Sequence, residues 1–219
     1  MDVIEISDIK LRFGARYVLS DIYVTCKTGA PTGLIGRNGQ GKSTLMKVIF
    51  GSLPAESACI RINNKTLDRS LLKEQQVSYL PQFNFFPKKI TIKEAFADFR
   101  LSFDDFISWF PDLNRTYSTR FNTLSGGEKR IVEIYAICKS ASLLKLLDEP
   151  FTYLSPIQAE VVSNLILAES TKKIFLITDH LYEHVLQICN EVYFLKEGSV
   201  KKIHTVEELE FLGYTRSDR

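Results

Sequence analysis

The octet Gly36-Arg37-Asn38-Gly39-Gln40-Gly41-Lys42-Ser43 satisfies G-x-x-x-x-G-K-[ST] at every fixed position. Glycines at 36, 39 and 41 let the backbone wrap closely around a phosphate chain with its N–H groups inward. Lys42 places a point charge on the β- and γ-phosphates, and the Ser43 hydroxyl can ligate Mg²⁺. A second group closes the apolar run Leu144-Lys145-Leu146-Leu147 with two acids. Asp148 stands where it can hold Mg²⁺ through a first-shell water, and Glu149 where it can polarise an attacking water, as phosphoryl transfer requires. A third group is Leu124-Ser125-Gly126-Gly127-Glu128. Two glycines at a helix start leave N–H groups free for an anion, and Ser125 adds a hydroxyl donor.

These groups need elements to hold them. Thr32–Ile35 reads as a short buried strand before the octet, and Thr44–Phe50 as a helix after it, stopped by Gly51. Val3–Ile6, Lys10–Phe13 and a continuous run from Tyr17 to Cys26 read as strands of a largely antiparallel sheet, with a turn at Gly14-Ala15-Arg16. Ala58–Ile62 and Val77–Leu80 are further strands. From Phe83 to Phe121 the chain is dense in aromatics, and Thr91 with Glu94 forms a capping box, so short helices are expected there. A longer helix runs from Ser125 to about Ser140. Beyond it strand and helix alternate: Leu143–Leu147, Pro156–Glu169, Lys173–Thr178, Leu181–Ile188 and Val192–Leu195, which implies a parallel α/β core. Glu197-Gly198 turns into a last strand near Val200–Ile203, and Thr205–Leu212 reads as a terminal helix ahead of a frayed end.

Composition sets limits. The chain has 219 residues, 45% hydrophobic and 25% charged, with a formal net charge of +2. That charge is too small to mark a nucleic-acid binder. The pairs Lys88-Lys89, Lys172-Lys173 and Lys201-Lys202 read as solvated surface. No apolar run is long enough to span a bilayer, and the acidic start Met1-Asp2-Val3-Ile4-Glu5 is unlike a secretory signal. Cys26, Cys59, Cys138 and Cys189 are scattered, which reads as reduced thiols of a cytosolic protein. His180-Leu181-Tyr182-Glu183-His184 spells H-x-x-E-H, but a strand ends just before it and a third ligand is wanting, so a zinc site is not expected. His184 reads as surface or satisfied core.

With these motifs in this order the sequence resembles the ATP-binding cassette (ABC) ATPases, from Phe13 to about Gly198. The resemblance implies an α/β P-loop NTPase fold: a RecA-like parallel core with an antiparallel β-subdomain (1–82 and 141–219) and an inserted helical subdomain (83–140). It implies that Phe13 stacks on adenine, that Gly36–Ser43 with Thr44 is the Walker A loop, and that Gln82 is the Q-loop glutamine sensing Mg²⁺ and water. By the same likeness Ser125, Gly126, Gly127 and Glu128 form the signature. Leu144–Asp148 is then Walker B, Glu149 the base, and His180 the switch histidine at the γ-phosphate. Ser43, Gln82 and Asp148 would serve the metal. The chain departs from the pattern at Thr152-Tyr153-Leu154-Ser155, where Ser155 replaces an aspartate. It departs again at Gly29-Ala30-Pro31-Thr32, and in the short span from Gln82 to Ser125.

The function implied is Mg²⁺-dependent ATP hydrolysis by two copies paired head to tail, as the nucleotide-binding subunit of a transporter with a separate integral membrane subunit. The resemblance places it in the cytoplasm, peripheral on the inner face of the membrane, with no nucleic-acid partner. A soluble cassette ATPase and a regulatory module that does not turn over are the alternatives. The aromatics of 83–121 have two readings, a helix-in-groove contact with the membrane subunit or the core of a small subdomain; Phe83–Pro87, through Phe85 and Phe86, is the docking candidate, whereas Trp109 reads as core.

Overall fold

A computed structural model describes residues 1–66, 76–180, 182–205 and 208–209. The chain opens with β1 (Val3–Phe13), β2 (Arg16–Leu19), β3 (Tyr23–Lys27) and β4 (Thr32–Ile35), then α1 (Lys42–Phe50), β5 (Ser57–Ile62), β6 (Lys65–Thr66) and β7 (Val77–Leu80). Three α-helices follow, α2 (Ile92–Asp98), α3 (Phe103–Trp109) and α4 (Gly126–Lys139), with 3₁₀ helices at Pro111–Thr116 and Phe121–Thr123 between the last two. The remainder is β8 (Leu144–Asp148), α5 (Pro156–Ser170), β9 (Ile174–Thr178), α6 (Tyr182–Ile188), β10 (Glu191–Lys196) and β11 (Ser199–Ile203).

Two sheets result. One is antiparallel, in the order β2-β1-β5-β6 with β3 also on β1. The other has the order β11-β10-β4-β9-β8-β7 and is parallel except for the β10–β11 hairpin. Both of its faces are covered, so its central strands are buried on both sides. Leu34, Leu144, Leu146, Ile174 and Leu176 face α1 and the antiparallel sheet. Ile35, Leu147, Phe175 and Ile177 face α4 and α5. Period-two side-chain direction with burial on both faces is what a parallel sheet demands.

The stretch between β7 and β8 is a helical insertion with an aromatic core. Phe96 stacks on Tyr135 of α4, centroids 5.6 Å apart, and meets Phe106 edge-on at 5.1 Å. Phe86 packs edge-on against Phe99 and Phe121. The capping box expected at Thr91 and Glu94 is present.

Several expectations change. Tyr17–Cys26 is two strands, because the amides of Ser20 and Asp21 leave the ladder and donate to the Gly198 carbonyl at 2.8 and 3.1 Å. Strand β6 was not expected. Phe86 is only 7% exposed and Phe85 packs half-buried beside it, so these rings are core; the exposed ring of the segment is Phe83, at 68%. Lys173 is no solvated lysine: its ammonium donates to Glu169 at 2.7 Å and to the Cys138 carbonyl at 2.8 Å. The terminal helix expected over Thr205–Leu212 falls largely outside the described residues, as does Leu181. Among the described residues no helix is long and apolar enough to cross a membrane.

Candidate active site

Ligands of open parallel sheets sit beyond the carboxyl ends of the strands. Here β4 leads into Gly36, β7 into Pro81-Gln82, β8 through Asp148 into Glu149 and β9 into Asp179-His180, all on one edge. An open cleft of about 540 Å³ lies there, lined by Phe13, Val18, Asn38, Gly39, Gly41–Thr44, Gln82 and Glu149.

Backbone geometry fixes the glycine choices. A Cβ on Gly36 would stand 2.5 Å from the Leu195 carbonyl, so the loop can lie against β10 only without a side chain. Gly41, at φ 107, is the left-handed N-cap of α1, and the helix opens directly onto the loop with no acid in its first turn. The 5%-exposed Lys42 aims its ammonium at the loop mouth, donating to the carbonyls of Gly36 (2.6 Å) and Arg37 (3.2 Å). Burial lowers its pKa, opposed by the carboxylates of Glu149, Asp148 and Asp179. Gln40 turns to the outer side, its Oε1 accepting the Glu197 amide at 3.0 Å. Phe13 ends β1 with its ring 57% exposed over the cleft.

The acids face the loop. Asp148 is 1% exposed, and both its oxygens are held: Oδ1 accepts the Thr178 hydroxyl at 2.7 Å and Oδ2 the Tyr79 hydroxyl at 2.9 Å. Glu149 has a left-handed backbone, φ 50, with its amide bonded to the Thr178 carbonyl at 2.8 Å. The Gln82 amide donates both to Ser43 Oγ (3.0 Å) and to Glu149 Oε1 (2.9 Å). His180 Nδ1 stands 3.5 Å from Glu149 Oε2 and 3.4 Å from Asp179 Oδ1. Hydroxyl and carboxylate oxygens are a donor set that suits Mg²⁺ rather than a softer ion.

Thus Phe13, the 36–44 loop, Gln82, Asp148, Glu149 and His180 gather at one edge. Ser125–Glu128 does not line this cleft. Ser125 and Glu128 form the capping box of α4, the Glu128 carboxylate taking the Ser125 amide at 2.7 Å, so Glu128 is turned to its own helix. The glycine pair lies against Tyr153: a Cβ on Gly127 would stand 3.0 Å from the Tyr153 carbonyl. Ser155, in the departing stretch, N-caps α5. His184 lies 5.0 Å, ring to ring, from Phe151. Sequence reasoning missed Tyr79, Thr178 and Arg130. Tyr79 is in β7, the strand that leads into Gln82, and Thr178 ends β9, which was the available signal for both.

Loop, metal-suited oxygens and acid at one sheet edge define a P-loop nucleotide hydrolase. Residues 19–152 match the family model described as ABC transporter. The chain is 29% identical to the high-affinity branched-chain amino acid transport ATP-binding protein BraG of Pseudomonas aeruginosa, over 86% of each chain. It is 27% identical to the lipopolysaccharide export system ATP-binding protein LptB of Haemophilus influenzae, over 95% of this chain and 93% of that protein. The ADP conformation of an ATP-binding cassette of an ABC transporter shares the fold, with TM-score 0.80 at 22% identity over 99% of this chain and 96% of that one. The chain belongs to the ABC transporter family. It is an ATP-binding subunit whose hydrolysis of ATP powers transport.

Proposed function

We propose that this cleft is the hydrolytic site, with the β- and γ-phosphates in the 36–43 loop, Lys42 on their charge and adenine on Phe13. Thr44 and the loop amides hold the phosphates at the N-terminus of α1. Glu149 is the general base, Gln82 and His180 orient water and γ-phosphate, and Ser43, Gln82 and Asp148 serve Mg²⁺. That ion, when bound, neutralises charge developing on the phosphates. The observation that carries the reading is the Gln82 amide spanning Ser43 and Glu149 at 3.0 and 2.9 Å, since it joins the metal-side hydroxyl to the base.

Because Ser125–Gly127 lies away from this cleft, two copies pair head to tail in this reading, each signature closing the other's nucleotide. Residues 83–140 form the helical subdomain and the rest the core. The exposed Phe83 beside Gln82 supports docking of an integral membrane subunit there, which holds the protein on the inner face of the membrane. Glu149→Gln tests the chemistry: ATP binding persists and turnover falls at least about a hundredfold. Undiminished steady-state hydrolysis would remove Glu149 from the role.

A further inference from the structure

Arg130, in the second turn of α4, is 1% exposed and reaches across to the catalytic edge. Its Nη1 donates to the Pro81 carbonyl at 2.7 Å, and its Nη2 to the carbonyls of Asp148 (2.7 Å) and Glu149 (2.8 Å). Its Nε donates to Pro150 at 3.3 Å. One turn on, Glu133 is fully buried, and its Oε1 accepts the amides of Phe85 (2.6 Å) and Phe86 (3.3 Å). Among the described residues its Oε2 has no hydrogen bond, and it lies 4.0 Å from Arg130 Nη1. Helix α4 therefore grips the 81–86 segment at both ends, with Gln82 between, and grips the main chain of both acids.

Burying a guanidinium is costly, and a purely apolar core would not require it. What the fork supplies is planar, multi-point hold on carbonyls that an ammonium cannot match. Those carbonyls belong to the residues whose placement matters. The Glu149 backbone is left-handed, a strained conformation for a side chain of its type. Its amide is held by Thr178 and its carbonyl by Arg130, so the peptides on both sides are fixed and the carboxylate is delivered to Gln82.

We infer that Arg130 is a positioning residue for hydrolysis, setting Glu149 and Gln82 in register with each other and tying both to the signature helix. This rests on Glu149 being the base. Without the fork, the 148–150 carbonyls lose their shared partner, the Glu149 backbone relaxes, and its carboxylate leaves the Gln82 amide. Among the described residues these four Arg130 hydrogen bonds go to Pro81, Asp148, Glu149 and Pro150 rather than to the 36–43 loop, so nucleotide binding is spared.

The test compares Arg130→Ala, Arg130→Lys and Glu149→Gln in the full chain by ATP affinity, steady-state phosphate release and thermal melt. For Arg130→Ala, Kd and KM for ATP stay within about twofold while kcat falls about 10- to 100-fold, the loss expected of a small misplacement. Added methylguanidinium restores part of kcat to Arg130→Ala, and Arg130→Lys stays low. If Arg130→Ala does not fold, the Lys variant carries the same kcat-against-KM split. Wild-type kcat in a folded Arg130 variant overturns the inference, as does a loss that tracks affinity or fraction folded with no rescue. An inactive Glu149→Gln beside an active Arg130→Ala removes the strap alone. A fully active Glu149→Gln removes the base reading itself.

Discussion

Replacing Lys145 by methionine should stabilise this protein. Lys145 is the second residue of β8, the strand that delivers Asp148, and is 0% exposed. Its ammonium donates to the Ser140 carbonyl (2.7 Å) and to the hydroxyls of Ser140 (2.5 Å) and Ser142 (2.6 Å). These neutral acceptors do not repay dehydration, which, with the nearby charge of Lys173, lowers the pKa from 10.5 to about 7. At about 1.4 kcal/mol per unit, the native state bears on the order of 4 kcal/mol at neutral pH. Methionine fills similar volume without that cost, but leaves the Ser140 carbonyl short of a partner, a loss of about 1–3 kcal/mol. The Ser78, Ser140 and Ser142 hydroxyls still bond one another. The net gain is about 2 kcal/mol, or a melting temperature higher by roughly 4–8 °C for a chain of this size.

The sign with pH gives a second check on the same perturbation. Between pH 7 and 10.5 the unfolded lysine binds more protons than the folded one, so wild-type stability rises with pH across that window. Below pH 7 both are protonated and the penalty is complete. The advantage of Lys145→Met measured by urea denaturation should therefore shrink by about 2 kcal/mol from pH 7 to pH 9. A variant less stable than wild type at pH 7, or a gap that does not change with pH, would refute the dehydration argument.

Tyr79→Phe removes one of the two hydroxyls on Asp148 and should lower kcat about two- to tenfold with little change in melting temperature; unchanged turnover and unchanged Mg²⁺ dependence would deny Tyr79 that role. Phe86→Ala should cost about 3–5 kcal/mol by emptying the ring cluster with Phe99 and Phe121, read as a lower urea midpoint. Phe83→Ala, at a 68%-exposed ring, should leave the melt within about 1 °C yet lose co-purification with a membrane subunit from detergent extracts; full retention would end the docking proposal.

The phosphate loop, the acids after β8 and the Thr91–Glu94 capping box were legible because each is a local pattern whose spacing is its meaning. The parallel core was legible through strand–helix alternation. The aromatic insertion was misjudged in detail: adjacent Phe85 and Phe86 advertise apolarity, but nothing local says that both turn inward while Phe83 turns out. Lys173 read as surface because its partners, Glu169 and the Cys138 carbonyl, come from elements that only tertiary packing brings near. Arg130 was invisible for the same reason. Its acceptors are main-chain oxygens of residues 81 and 148–150, which leave no side-chain signature.

The position of β4 has a consequence for the order in which the chain can fold during synthesis. The strand that leads into the phosphate loop pairs on one side with β9 and on the other with β10. The loop's own Gln40 is held by the Glu197 amide, and the Ser20–Asp21 corner by the Gly198 carbonyl. Every one of these neighbours lies more than a hundred residues downstream. A nascent chain lacking β9 and β10 thus has its nucleotide-gripping segment made but unbraced, and contacts of such long sequence separation form late and slowly. Bracing of the loop waits until β9, β10 and Glu197 have been made, and a ribosome stalled before Glu197 would display a chain whose loop is not yet held.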